Sequence, residues 1–495
     1  MTERLVISVV LVAGLCVLAA CPPAIFETQI ELLVAEGQEP LAGASYVEVE
    51  VRYADGEVVS GSLSTSPGPQ RIEGLRPGSA VVIDVTARRS DGSPVALGRS
   101  LPLEIDEGGG SAAIFLDTAD SVARFPEGLT ARRSFSKAVA LSEDRVLVVG
   151  GGDLAGSTVA STEIFGTEPT QPVEAVPLSI LERIGHEALW LPEGSGEWAG
   201  RVAVIGGTTG SDNDTWDTAV ASAIDSVALI DPTSGIVEED VAFFESGVLG
   251  ARAAINSDGL LAVVGGIDES GNHLSSVSIL VPGANLALEG PAFSGRHLHQ
   301  LTEVQVGGQQ RFVVTGGLDS TGLADQIELW DGSQTSQFSA PPGAVLQTPR
   351  ARHQAVPLSF GRVLIAGGAT DLTDRTDQGT SLGSAEIFDP VAGTVVPSND
   401  ALDVPRQRHV AVPIPGDRVL ICAGQDSAEN SLSSCEIYDS ETDSFSGFPG
   451  GSMTPGGPGI AAAALPDGRV FFVGGGESSE TGTFLYIYTP PDWQD

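Results

Sequence analysis

Apolar and polar residues alternate strictly along residues 46–53, with Val47, Val49, Val51 and Tyr53 on one face and Glu48, Glu50 and Arg52 on the other. A period of two predicts a strand with one buried face. AVVIDVTARR (80–89) follows the turn RPG (76–78), Asp91-Gly92 leads into PVALGRSLPLEI (94–105), and AAIFLD (112–117) adds a further apolar run. Residues 28–118 are therefore expected to form a small domain of about five or more strands, most simply a β-sandwich of immunoglobulin or fibronectin kind.

From residue 119 the pattern changes. A basic or apolar residue, four apolar residues and a glycine pair recur as RVLVVGG, RVAVIGG, LLAVVGG, RFVVTGG, RVLIAGG, RVLICAG and RVFFVGG, with the first glycine position at 150, 206, 265, 316, 367, 423 and 474. The successive differences are 56, 59, 51, 51, 56 and 51 residues, a period that marks a repeat architecture. Unbroken apolar runs, in place of alternation, predict strands buried on both faces. Each copy follows an apolar strand and a turn such as PGD (415–417) or PDG (466–468). Each precedes a polar loop and a third strand, for example STEIF (161–165), SAEIF (384–388) or SCEIY (434–438), and then a weaker fourth.

Four short antiparallel strands cannot bury two faces alone, so the units must stack, and a ring stacks them without long free edges. The expectation is an all-β chain with a seven-bladed β-propeller over 119–495. The last repeat has too little chain after Tyr488 for its own fourth strand, so the segment near Ser121 to Phe125 is expected to complete that blade.

The repeated phrase resembles the kelch motif, an apolar second strand closed by two glycines, over about residues 130–489. The downstream aromatic positions depart from it, with Phe165, Ile230, Leu280 and Phe388 in place of tyrosine or tryptophan, and Ala423 replaces the first glycine of the sixth copy. Leu18-Ala19-Ala20-Cys21 closes an apolar run from Leu5 and resembles the lipobox of bacterial lipoproteins. That resemblance implies a signal peptide at 1–20, a lipidated Cys21 opening a linker (21–27), and a location in the cell envelope, with Pro22 leaning toward the outer membrane.

The formal charge of −40, with Lys137 as the one lysine, excludes nucleic acid as a partner and supports solubility. Export permits a disulfide, and Cys422 and Cys435 end one strand and open the next in the sixth repeat, where they can face each other.

Four repeats carry R-x-x-H at the entry to the first strand: Arg183 with His186, Arg296 with His299, Arg350 with His353 and Arg406 with His409. Equivalent positions around a ring are too far apart for one metal ion, so no metal is expected. These residues and Arg132 are candidates for binding a carboxylate or acidic sugar at the channel mouth, against the plainer reading that they brace the sheets. Asp153, Asp268, Asp319 and Asp426 follow the glycines by three residues, as turn formers or as ligand contacts. The acidic loops SDNDTWD (211–217) and TDLTDRTD (370–377) lack the spacing of a calcium loop.

No Ser-His-Asp spacing, phosphate loop or cofactor motif is present. By resemblance, copper-radical kelch oxidases are disfavoured, whereas exported kelch sialic acid mutarotases, which use arginine and acid groups at the channel, supply the enzymatic alternative. The sequence weighs against catalysis and for a monomeric, lipid-anchored binding or scaffold protein that recognises an envelope protein or glycan, without cofactor.

Overall fold

The computed structural model describes residues 3–7, 9–12, 28–34, 41–63, 65, 70–73, 76–100, 103–105, 110–124, 129, 133–142, 145–152, 159, 161–166, 174–179, 182–209, 220–256, 259–372, 379–448, 452–453, 456–474 and 485–491. Their architecture is all-β and largely antiparallel.

In the N-terminal part, Tyr46–Arg52 lies between Val58–Leu63 and Gly78–Arg88, and Pro94–Arg99 and Asp117–Thr118 continue the sheet. Val47, Val49 and Val51 are buried as the alternation demands. A second sheet sets Thr28–Val34 antiparallel to Glu3–Ile7 and parallel to Gly110–Phe115. Leu32 and Ile114 of that sheet share one apolar cluster with Val49, Val51, Ile83 and Val85 of the first. Glu3–Ile7 and Val9–Val12, inside the run read as an export signal, are strands here, the latter paired with Gln70–Glu73. Cys21 lies outside the described residues. No helix among the described residues is long and apolar enough to cross a membrane.

The repeats form seven sheets. Their second strands are Arg145–Val149, Val202–Ile205, Leu261–Val264, Gln309–Thr315, Val363–Ala366, Arg418–Cys422 and Val470–Val473. In the first repeat Val146 and Val148 pack with Phe471, Val473 and Ile487 of the seventh, while Leu147 and Val149 pack with Val202 and Val204 of the second. Both faces of the strand are thus buried, which is why no polar residue interrupts it. Each such side chain contributes about 1.5–3 kcal/mol by leaving water.

The first strands touch in order: Lys137–Ala140, Glu187–Trp190, Arg252–Ile255, Gln300–Val306, Gln354–Pro357, Val410–Ile414 and Ala461–Ala464, the last of which also touches Lys137–Ala140. Ser121–Arg124 pairs antiparallel with Leu485–Thr489 and gives the seventh sheet its outer strand. This is a propeller-like arrangement of sheets.

Candidate functional site

Arginines at the entries to four repeats are buried and neutralised within their own sheets. Arg133 Nη2 meets Glu163 at 2.6 Å, Arg350 Nη2 meets Glu386 at 2.8 Å and Arg406 Nη2 meets Glu436 at 2.7 Å, with an equivalent pair between Arg296 and Glu328. Each glutamate sits on the third strand directly opposite the second. The Glu386 carboxylate also accepts the Gln347 and Thr348 N–H groups, and Arg350 Nη1 donates to the Gly367 and Ser384 carbonyls at 3.0 and 2.8 Å. Burial pulls these guanidiniums below their usual value and the paired carboxylates offset it.

The placement of Arg296, Arg350 and Arg406 therefore differs from the expectation of a cationic channel mouth. Their donors already serve a glutamate and backbone carbonyls inside the sheet, and each side chain is at most 1% exposed. Arg132 lies outside the described residues, and Arg133 holds the repeat position. Arg183 differs from all of these: it is buried without a glutamate.

The glycine pair locks neighbouring repeats together. Gly316 has φ 54°, and a Cβ there would lie 2.3 Å from the Arg350 carbonyl oxygen and 2.6 Å from His353 Cε1. The next residue, Gly317, donates its N–H to that same carbonyl at 2.9 Å. Only a residue without Cβ lets the fourth repeat approach the fifth so closely. Corresponding bonds run from Gly151 to Arg183, Gly207 to Val248, Gly266 to Arg296, Gly368 to Arg406 and Gly424 to Gly457.

The histidines complete this contact. His186, His299, His353 and His409 are at most 2% exposed, and the Cε1 atoms of all four point at the first glycine of the preceding repeat. Burial drives their imidazoles far below the usual range, to about 3 for His186 and His409, so they are neutral at pH 7. His353 Nε2 meets Thr315 Oγ1 at 2.9 Å. Among the described residues no group of three His, Cys, Asp or Glu could hold a metal ion.

A set of residues that the sequence reading missed links neighbouring repeats. Two positions after each entry arginine or its equivalent stand Phe135, Gly185, Gly250, Leu298, Arg352, Arg408 and Gly459, all with left-handed φ between 52° and 76°. Their backbones bond between neighbouring repeats: Phe135 N–H to Gly459 O at 2.8 Å, Gly250 to Gly185 at 3.3 Å, Arg352 to Leu298 and Arg408 to Arg352 at 3.2 Å. Four of these residues carry side chains in a conformation that costs roughly 1–2 kcal/mol each, and such strain gathers at sites of recognition.

Arg352 Nη1 donates to Gln407 Oε1 at 3.3 Å, and the Arg408 guanidinium lies 5.9 Å from the Phe135 ring centre. Two half-buried guanidiniums, one of them near an aromatic ring, suit an anionic ligand with an apolar face. The signal for them was the arginine directly before the histidine in RARH (350–353) and RQRH (406–409).

The acids after the glycines are turn caps. Asp268 Oδ1 accepts the Ser270 and Asn272 N–H groups at 2.9 and 2.8 Å, Asp319 Oδ1 accepts Thr321 N–H at 2.7 Å, and Asp426 Oδ1 accepts Ala428 and Asn430 N–H at 2.8 and 2.9 Å. These bonds hold the carboxyls below their ordinary values. Asp153, residues 211–217 and residues 373–377 lie outside the described residues. Cys422 and Cys435 face each other in register and form a disulfide.

The kelch motif family matches residues 408–450. No curated protein matches the chain. Among solved structures the chain resembles "Structure of YjhT", with 13% identity over 65% of this chain and 99% of that one and a TM-score of 0.49. The preference against catalysis drawn from the sequence is withdrawn.

Proposed function

We propose that the chain is an exported, lipid-anchored kelch-like propeller that binds a carboxylate-bearing sugar at its axial mouth and acts on it. In this reading the seven sheets of 119–495 are blades of one closed ring, and residues 28–118 are a β-sandwich that spaces the ring from the membrane. Residues 1–20 are removed, and Cys21 carries the acyl chains at the outer membrane. The contact of Ala461–Ala464 with Lys137–Ala140 supports closure. The shared cluster of Leu32, Ile114 and Val49 supports the sandwich.

The observation that carries the ligand reading is the neighbouring pair Arg352 and Arg408 on the axis of a molecule with formal charge −40. Planar guanidiniums bind a carboxylate through paired N–H donors. Phe135 and Leu298 flank the pair within the same axial ring and offer a sugar ring an apolar surface. The reaction class this suits is interconversion of anomers, in which the anomeric hydroxyl and ring oxygen exchange a proton as the ring opens and closes, with no co-reactant.

The test is anomer exchange of N-acetylneuraminic acid followed by NMR, with glucose as the neutral control. The full chain should accelerate exchange of the acidic sugar alone, and R352Q and R408Q should each reduce the rate at least about tenfold, with thermal unfolding preserved, as expected for loss of a charge-assisted contact. No acceleration by the wild type, together with no heat of binding, would overturn the reading.

A further inference from the structure

Arg183 is out of step with its four counterparts. Its guanidinium is completely buried, Nη1 donates to the Gly206 carbonyl at 3.2 Å, and Nε and Nη2 have no hydrogen-bond partner among the described residues. At the equivalent place in the fifth repeat, Arg350 makes five bonds, one of them to Glu386.

The difference lies on the third strand. Glu163 stands opposite Val148, Glu386 opposite Ile365 and Glu436 opposite Ile421, whereas in the second repeat Ala228 stands opposite Val204. Ala228 is completely buried. Relative to glutamate it lacks one methylene and a carboxylate, groups that together have the size of a very small organic acid. The acids whose charge reaches Arg183 are Glu239 and Asp240, both exposed on the bulge of Val237–Phe243 opposite Ala228. No carboxylate of the described residues bonds to it. A buried cation in low dielectric is stable only with a counter-charge at contact distance.

We infer that Arg183 holds a small monovalent anion, chloride or a formate-sized carboxylate, where the other repeats carry a glutamate carboxylate. The anion accepts from Nε and Nη2 and neutralises the second repeat as Glu386 neutralises the fifth. This site is separate from the axial mouth, and its test does not depend on any sugar.

The experiment is thermal unfolding of the full chain in sodium chloride, sodium formate and sodium gluconate at one ionic strength, gluconate being too large to enter. For the wild type, chloride or formate should raise Tm saturably, by about 2 °C per tenfold concentration above Kd. A228E, which tethers a carboxylate at the site, should raise Tm in gluconate and remove the dependence on the small anions. R183Q removes the charge and should also be flat, which keeps the inference falsifiable if A228E does not fold. A wild type that unfolds alike in all three salts overturns the inference, as does an equal small-anion response in wild type and R183Q. A response to chloride but not formate assigns the halide, and the reverse assigns the carboxylate.

Discussion

The third and fifth repeats build the same four-stranded sheet with different interiors. The fifth has Arg350, His353 and Glu386, all buried. At the equivalent places the third has Val248, Ala251 and Ser278, and Val248 still presents its carbonyl to the Gly207 N–H at 2.8 Å. The link between repeats is thus a backbone bond, and the polar side chains are a second layer over it. A sheet can dispense with all three together, because an uncharged set leaves no charge stranded. It cannot dispense with the glutamate alone, which is what makes the second repeat, with Arg183 but Ala228, the exception.

Acid should separate the two kinds of repeat most strongly. His186 and His409 are pushed down to about 3 in the folded chain because burial disfavours the imidazolium, against an ordinary value of 6.5. Between these values the unfolded chain binds protons that the folded chain does not. The stability is therefore full above 6.5 and lost as pH falls toward 3, at about 1.4 kcal/mol per pH unit for each histidine. Urea denaturation at pH 7 and 5 should show a loss of several such increments, and H409N should flatten the slope by one. Ala251 of the third repeat offers nothing to titrate.

Removing one partner of the fifth repeat comes next. E386A should cost about 3–5 kcal/mol in the same assay by stranding Arg350, whereas R350M/E386L, which imitates the third repeat, should recover most of the loss. If the double variant is as unstable as the single one, the pair is worth more than its apolar replacement and the comparison above fails.

The smallest contrast is at the first glycine. G316A should cost more than the roughly 1–2 kcal/mol of a left-handed residue, because the Arg350 carbonyl and His353 must also move. A423G should raise stability by at most about 1 kcal/mol, because glycine relieves the strain of the Cβ that Ala423 carries at φ 63° but costs unfolded-chain entropy. The seventh repeat puts Gly457 and Ile460 where the fifth puts Arg350 and His353, so alanine is tolerated there. Calorimetric Tm values of the two variants decide this.

What was legible in the sequence was whatever a residue type enforces by itself. Four successive apolar residues such as Val146 to Val149 require two buried faces, and that requirement survives without knowledge of the neighbours. The register of Arg133 was not legible: TARRS offers two adjacent arginines, and Ser136 replaces the histidine that marks the position elsewhere. The residues two places after the entry positions were hidden for a different reason. Phe135, Leu298, Arg352 and Arg408 adopt a backbone conformation that their side chains disfavour, so composition points away from it. The parallel pairing of Gly110–Phe115 with Thr28–Val34 joins segments far apart in the chain, and local patterning does not encode it.

The pairing of Ser121–Arg124 with Leu485–Thr489 sets a timetable for biosynthesis. The strand made first waits for the strand made last, and at about 5–20 residues per second the roughly 360 residues between them take on the order of 20–70 s to emerge. For that interval the hydrogen-bonding edge of Ser121–Arg124 has no partner of its own, and any chaperone serving this chain must shield an early segment until the final one arrives.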